Sequence, residues 1–506
     1  MAKFTRTDKA TIISVGQSIE ALVKIGVAVA LARPLSKTDY GLYQQVWFVF
    51  FIGLPLFRSG LRPGVLYFWP KVGDEGRKEL ILQNLFLHAA SGLIFCALIF
   101  FGAPVIARFV EGGEALVMPL RYFSLFPLLM LPSLVVDPVL LSADRPVLLV
   151  ATTVISRSAP FIMCVIGLGV LGWSLTTTFL AVVISAAVLL VGTTWITLWP
   201  AAGSPLQWRW RNLLEQIKFA LPMGMAPFVT DLTRRASQLA VMLFYAPALF
   251  AVYWNGSFQL PVLPILVISA SSVIVPEMSV HAAAGRIGPM MDVWQRAIRK
   301  IAFIMFPATA FLFVYARETI LVFFSSKYLA SVPIFMITLF LLPARVANFM
   351  LPLMLTKKSR AVATGSVVGL VSVLVLCPAL LLLFRLRSPA FGLLGPAAAT
   401  VLARLVWNGY FMVKIHQLLD IPYGKILPWR YLGLTAALAA VAAVVSLLAK
   451  LLGWQLVPRI LAGGVLFGAV FVPLALATNV FPALERARLR KLLSRISGLR
   501  GRSQND

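Results

Sequence analysis

The sequence predicts an all-α polytopic membrane protein of about fourteen transmembrane helices, and three observations carry that prediction. The chain has 506 residues, of which 60% are hydrophobic and 12% charged, where a soluble protein carries about 25% charged residues. Its mean hydropathy is +0.90. Its apolar residues come in continuous runs near the ~20 residues that cross a bilayer as a helix, not in the ten-residue alternations of a β-barrel. The formal charge of +27, from 45 Lys and Arg against 18 Asp and Glu, is therefore not that of a disordered nucleic-acid binder, and no nucleic acid is expected as a partner.

Taken in order, the predicted spans are residues 12–32, 42–62, 81–104, 117–141, 147–170, 175–198, 219–241, 250–275, 301–316, 331–355, 361–384, 391–413, 431–449 and 460–481. The first resembles a signal peptide, with Lys3, Arg6 and Lys9 ahead of it and Ala28-Val29-Ala30 near its end. Glu20 and Lys24 interrupt the apolar region that a signal peptide requires, so this span is read as retained. Connections are short, and no soluble domain is expected. Cys96, Cys164 and Cys377 each sit in an apolar run. They form neither a disulfide framework nor a metal-binding spacing.

Lys and Arg placement sets the orientation. With the N-terminus in the cytoplasm, 27 basic residues fall in cytoplasmic connections and tails and 9 on the opposite side. Both termini are therefore expected inside, in a bacterial inner membrane, with an even number of spans. Residues 207–219 and 484–496 mix basic with apolar side chains and are expected to lie along an anionic inner leaflet.

An internal repeat is visible. Asp39-Tyr40-Gly41-Leu42-Tyr43 follows the first span and Leu249-Phe250-Ala251-Val252-Tyr253 follows the seventh. The same register places Lys24 on Arg234 and Glu20 beside Asp231. Leu140-Leu141-Ser142-Ala143-Asp144-Arg145 after the fourth span is echoed by Met354-Leu355-Thr356-Lys357-Lys358-Ser359-Arg360 after the tenth. The expected division is a lobe over 1–199, a second over 200–416, two further helices over 417–481 and a basic tail over 482–506. Two six-helix lobes that begin on one side are related by an axis along the membrane normal.

Nine basic residues fall within or at the ends of spans: Lys24, Arg58, Arg62, Arg121, Arg157, Arg234, Arg235, Arg345 and Arg404. Three acids do so: Glu20, Asp137 and Asp231. A charge at mid-bilayer costs about 2.5–3.5 kcal/mol on insertion scales. These residues should therefore pair or face a watery cavity. Glu20 with Lys24, and Asp231 with Arg234 and Arg235, share helical faces at i,i+3 or i,i+4; the plainer reading is self-neutralising pairs. Arg58, Arg62 and Arg121 lie near span ends, where they can snorkel. Arg157, Arg345 and Arg404 lie deeper with no acid nearby in sequence. Asp137 lies in a run broken by Pro127, Pro132 and Pro138, where kinks free carbonyls. His88 is read as a hydrogen-bonded helix residue. The positive balance favours an anion, since Arg grips phosphate oxygens in a bidentate way.

The segment Leu31-Ala32-Arg33-Pro34-Leu35-Ser36-Lys37-Thr38-Asp39-Tyr40-Gly41-Leu42-Tyr43, the stretch Phe57-Arg58-Ser59-Gly60-Leu61 and Leu221-Pro222 with Asp231 resemble Wzx-type polysaccharide flippases of the multidrug/oligosaccharidyl-lipid/polysaccharide exporter superfamily. Through the repeat, the resemblance extends over residues 10–416. It implies a V-shaped pair of lobes around a central cavity, and alternating-access transfer of an undecaprenyl-diphosphate-linked oligosaccharide to the outer leaflet. Arg58, Arg62, Arg121, Arg157, Arg234, Arg235, Arg345 and Arg404 would line the path of the diphosphate. Glu20, Lys24, Asp137 and Asp231 would form charge pairs, and Glu20 or Asp231 could bind a coupling proton or sodium ion. A monomer is expected, working with anionic phospholipids and with a polymerase and glycosyltransferases of its pathway. A lipid-linked peptidoglycan-precursor flippase and an ion-coupled drug antiporter stay open within the superfamily. An enzyme is not expected, because the outer loops are short and hold no His, and no cofactor is implied. No G-x-x-x-x-G-K-[ST] motif occurs, which argues against ATP hydrolysis.

Overall fold

The computed structural model describes residues 6–58, 60–259, 274–478 and 480. Every regular element among them is helical, and eleven helical runs are long and apolar enough to cross a membrane. The protein is multi-pass. Its contacts divide it into two compact units, one of Met1–Asn255, Phe323–Tyr328 and Val373–Pro396, the other of Gly256–Val322, Leu329–Ser372 and Ala397–Asp506.

The first unit begins with α1 (Arg6–Ala32) and α2 (Lys37–Phe57). Ser36 caps α2, its Oγ accepting from the Asp39 amide at 3.0 Å, as an N-cap serine does. α3 (Leu61–Phe109) continues through a kink at Gly73, where φ is +60°. The predicted span 117–141 is cut into α4 (Glu114–Phe123), α5 (Leu125–Ser133) and α6 (Val136–Ser142). Its prolines lack the amides that a continuous helix needs. α7 (Pro146–Cys164) runs into a wide π turn at Val165–Val170, and α8 (Leu175–Leu198) starts on a second serine cap, Ser174. α9 (Trp210–Phe244) and α10 (Pro247–Gly256) follow. The expected surface segment 207–219 is not separate. From Trp210 it forms the first turns of α9, with Leu213 and Gln216 buried.

Between helices in lipid, hydrophobic driving force is weak, and close packing takes over. Trp47 of α2 is the centre of the packing in this unit. Its ring stacks on Phe161 at 4.5 Å and meets the edges of Phe123 and Phe126 at 5.1 and 5.4 Å. Two glycines from the segments quoted above let backbones touch. A Cβ on Gly41 would collide with the Pro247 carbonyl, and one on Gly60, itself at φ +64°, with the Ala220 carbonyl.

The later helices are α11 (274–283), α12 (Ile287–Val314), α13 (Ala316–Phe324), α14 (Val332–Leu339), α15 (Leu341–Ala344), α16 (Met350–Leu355), α17 (Ser359–Arg385), α18 (Pro389–Gly392), α19 (Leu394–Leu419), α20 (Tyr423–Ile426), α21 (Trp429–Ser446) and α22 (Leu456–Ala477). α12 starts well before the predicted residue 301. Its first half is amphipathic, burying Met290, Trp294 and Ile298 while exposing Asp292, Arg296, Arg299 and Lys300. A hydropathy ruler stops at such a face. The span expected at 331–355 is broken into α14, α15 and α16, with Arg345 in the break. In the second unit α21 and α22 are tied to α12 and α13. Tyr315 donates to the Ser446 carbonyl at 2.6 Å, and Lys450 pairs with Glu318 at 3.0 Å. The predicted span 250–275 lies largely outside the described residues, as does the basic stretch 484–496.

The repeat reappears in the backbone. Left-handed residues punctuate both halves at matching places: Gly73 and Gly285, Gly112 and Ser325, Asp144 and Lys357, separated by 212, 213 and 213 residues. The turns at Asp144 and Lys357 close with equivalent bonds, Arg145 N to Leu140 O at 3.0 Å and Lys358 N to Leu353 O at 2.9 Å. α2 and α10 start 210 residues apart.

Close backbone contact at Gly41 has a measurable consequence. Gly41→Ala should lower stability by about 1–3 kcal/mol, the usual cost of overpacking. Gly433→Ala, where an added Cβ meets nothing within 4 Å, should not. Thermal unfolding in detergent micelles checks this, and equal melting of the two variants would refute the tight crossing.

Candidate functional site

Four intramembrane charges of the first unit gather on α1, α6 and α7. Glu20 and Lys24 pair along α1, with Nζ to Oε1 at 2.7 Å. From α7, Arg157 reaches across to both neighbouring helices. Its Nη1 lies 3.2 Å from Glu20 Oε2 and its Nη2 2.5 Å from Asp137 Oδ2. Asp137 is buried, and its other oxygen accepts from Thr153 Oγ1 at 2.9 Å. Asp137 owes its place to the proline-broken run, which starts the short helix α6 one residue earlier. Gly16 on α1 faces Val150 on α7, and that close crossing brings Glu20 within reach of Arg157. The four charged groups balance: two carboxylates, one ammonium and one guanidinium. Arg157 therefore has acids after all, drawn from positions 20 and 137 rather than from its own helix.

Arg58 caps the end of α2, half-buried, within electrostatic range of Arg157, Arg62, Asp137 and Asp231. Neither Arg58 nor Arg62 makes an ion pair among the described residues. On α9, Asp231 faces Arg234 at 3.7 Å, a loose contact. Arg235 lies over the Phe51 ring at 5.3 Å, with its buried Nε making no hydrogen bond among the described residues. With the balanced set on α1, α6 and α7 set aside, Arg58, Arg62, Arg234 and Arg235 against Asp231 leave a positive surplus in this unit. Arg121 stands apart from that group, over the Phe100 ring at 5.5 Å.

In the second unit Arg345 and Arg404 meet the α15 break. Arg345 Nη1 donates to Gln259 Oε1 at 2.6 Å. Arg404 lies over Trp407 at 4.1 Å, with its Nε 3.5 Å from the Ala344 carbonyl. Asn408 donates to that carbonyl at 2.8 Å. A broken helix leaves carbonyls without amide partners, and α19 supplies donors to this one.

One polar cluster was missed by reading charges span by span. Buried Glu79 on α3 accepts from the Arg209 amide at 2.6 Å, from Gln83 at 2.9 Å and from Asn212 at 3.1 Å. Gln216 bonds Gln83 at 2.5 Å and accepts from Asn84 at 2.6 Å, and the Asn84 carbonyl meets His88 Nδ1 at 2.8 Å. A carboxylate at the start of α9 is favoured by the helix dipole. The signal in the sequence was a stripe of polar residues at 79, 83, 84 and 88 on one face of an apolar helix. Among the described residues, no group of His, Cys, Asp and Glu is arranged to hold a metal.

The family profile described as polysaccharide biosynthesis protein matches residues 30–333. A search of curated proteins finds no matching sequence. Among solved structures, the lipid II flippase MurJ in an inward closed conformation is similar over 91% of this chain and 97% of its own, with a TM-score of 0.69 and 13% identity. An inward-facing multidrug resistance MATE family transporter of the MOP superfamily is similar over 81% of this chain and 99% of its own, with a TM-score of 0.61 and 13% identity. A MOP superfamily transporter from Pyrococcus furiosus is similar over 82% and 96%, with a TM-score of 0.54 and 13% identity. At that identity the likeness establishes the fold that these chains share.

The Arg157 bridge makes a quantitative expectation. A double-mutant cycle with Asp137→Asn and Arg157→Gln should show a coupling of about 0.5–3 kcal/mol, as for contacting residues in one network. Unfolding of the purified protein in micelles measures it. Additive effects would mean that the two side chains do not share a bridge.

Proposed function

Because this chain belongs to the polysaccharide biosynthesis protein family, we propose that it is a flippase that carries a polyprenyl-diphosphate-linked oligosaccharide from the cytoplasmic to the outer leaflet of a bacterial inner membrane. Its fold is shared with membrane transporters, and transport rather than catalysis is the role proposed. The observation that carries the reading is the positive surplus within the spans of the first unit. Arg58 lies in electrostatic range of charges from α3, α6, α7 and α9, and among the described residues none of the cations at 58, 62 and 235 is in an ion pair.

The chemistry follows from that balance. A diphosphate entering a low-dielectric region needs donors that replace its water, and guanidinium groups do this with paired N–H bonds. Arg58, with Arg62 in its field, and Arg234 and Arg235 beside Asp231 on α9, would take the diphosphate. The sugars would cross in water, while the polyprenyl tail stays in the bilayer. Glu20, Lys24, Asp137 and Arg157 would hold the helices around this path. Arg345 and Arg404 would extend the basic lining along the second six-helix lobe, over 200–416, under an alternating-access cycle. Both termini would lie in the cytoplasm. The peptidoglycan-precursor reading differs only in the glycan, since the lipid diphosphate is the same anchor chemistry.

In proteoliposomes, Arg58→Gln and Arg235→Gln should each slow translocation of a fluorescent polyprenyl-diphosphate sugar about tenfold. That is the effect of removing one charge-assisted hydrogen bond, ~1.5 kcal/mol. Melting temperatures should stay near wild type. Unaltered rates in both variants would remove the basic path, and dye efflux driven by an ion gradient would favour an antiporter instead.

A further inference from the structure

Away from these charges, four helix ends of the second unit meet around a cavity of about 1070 Å³. They are the start of α12, the end of α19, the start of α21 and the end of α22. Successive spans alternate in direction, so these four ends share one bilayer edge, the one that the distribution of Lys and Arg assigns to the cytoplasm. The walls are tied together. Gln295 donates to the Lys425 carbonyl at 2.6 Å, Trp429 to the Tyr423 carbonyl at 3.1 Å, and Tyr431 to the Val480 carbonyl at 2.8 Å.

Five charged side chains line this cavity: Asp292, Arg299, Asp420, Lys425 and Arg430. Among the described residues none of the five is in an ion pair. Arg299 is steered by the Tyr431 ring, 5.8 Å away. Asp420 is presented from a left-handed turn at φ +54°. The rest of the lining includes the apolar Met291, Ile421, Leu434 and Val480, the polar Gln295 and Thr478, and the partly exposed Trp429. Tryptophan and tyrosine are the side chains that settle at headgroup level.

Both signs of charge are thus available within one cavity whose lining also offers apolar side chains. An anionic lipid would satisfy the three cations and leave two carboxylates facing its phosphate. A soluble phosphate would leave the apolar side chains unused. We propose that the cavity binds one zwitterionic phospholipid, a phosphodiester that carries a primary ammonium. Arg299, Lys425 and Arg430 take the phosphate oxygens, Asp292 and Asp420 take the ammonium, and the start of the acyl chains lies along Met291, Leu434 and Val480. The volume lies at the upper end of small-ligand sites, roughly 300–1,000 Å³, which suits a headgroup together with the first part of its chains. The bound lipid would join α12 to the α21–α22 pair and is independent of what the protein transports.

The test uses the full chain in lipid-free detergent, incubated with phosphatidylethanolamine, phosphatidylglycerol or water-soluble phosphoethanolamine. Bound ligand is counted by native mass spectrometry. One phosphatidylethanolamine per chain is expected, held about tenfold more tightly than phosphatidylglycerol, a difference of ~1.4 kcal/mol, with little retention of phosphoethanolamine. The pair Asp292→Asn and Asp420→Asn should abolish the preference between the two lipids. The triple change Arg299→Gln, Lys425→Gln and Arg430→Gln should weaken both about tenfold or more. Phosphatidylethanolamine should raise the melting temperature of the wild type but not of the triple variant. Equal binding of the two lipids by the wild type overturns the proposal. So does full retention of phosphatidylethanolamine by a folded triple variant. Phosphoethanolamine held as well as the lipid would show a soluble-phosphate site and overturn the lipid assignment. Should the triple variant fail to fold, the wild-type preference decides alone.

Discussion

A charge inside a bilayer must find a partner or a watery cavity, and the first unit is arranged around that constraint. Arg157 satisfies it by joining Glu20 on α1 to Asp137 on α6. Each partner depends on a local feature of the chain. Glu20 comes close because Gly16 lets α1 cross α7 tightly. Asp137 is available because Pro132 and Pro138 flank the break between α5 and α6. Thr153, one turn before Arg157 on α7, completes the carboxylate. The same constraint extends to backbone groups at the α15 break, where Asn408 and Arg404 meet the Ala344 carbonyl, and at the start of α9, where Glu79 accepts from the Arg209 amide.

Much of the fold was legible in the sequence, because bilayer crossing needs long apolar runs and these survive in composition alone. Nine of the fourteen predicted segments fall within the eleven apolar helical runs, two of them inside the single run Lys37–Phe109, and three more, 301–316, 331–355 and 460–481, overlap a run and extend past its end. The segment 219–241 is helical but too polar to be counted with them, since it carries Asp231, Arg234 and Arg235. Boundaries were less legible wherever a helix is amphipathic rather than apolar, as in the first half of α12. The repeat is clearer in backbone than in side chains. Gly112 and Ser325, or Asp144 and Lys357, have little chemistry in common, yet each pair holds a left-handed turn at the same step of the chain. Such a turn constrains φ and leaves the side chain free, so sequence comparison underestimates the repetition.

The site was legible only where partners lie within a helical turn. Glu20 with Lys24 and Asp231 with Arg234 could be paired from spacing. Arg157 could not, because its acids lie 137 and 20 positions away. The Glu79 network escaped for a related reason. Its members are mostly neutral amides, and a search for intramembrane charge passes over them. In each case the missing information is which helices touch, and that is set by glycines and aromatic rings far from the polar groups themselves.

This pairing changes which arginines are available to a substrate. Breaking one partner out of a buried ion pair costs about 3–5 kcal/mol, because it leaves the other charge uncompensated. A diphosphate that took Arg157 would have to strand Glu20 or Asp137 and bear that cost, which exceeds the ~1.5–3 kcal/mol that a hydrogen bond to a charged group contributes. Arg58 has no such debt, since it lies near Asp137 and Asp231 in field but in ion-pair contact with neither. Arg235 is held by an aromatic face rather than a carboxylate, an attraction of roughly 0.5–2 kcal/mol that a phosphate can outweigh. On these magnitudes, and under the function proposed above, the paired residues would hold the helices in register, and the positive groups left over at α2 and α9 would be the ones that a lipid diphosphate meets.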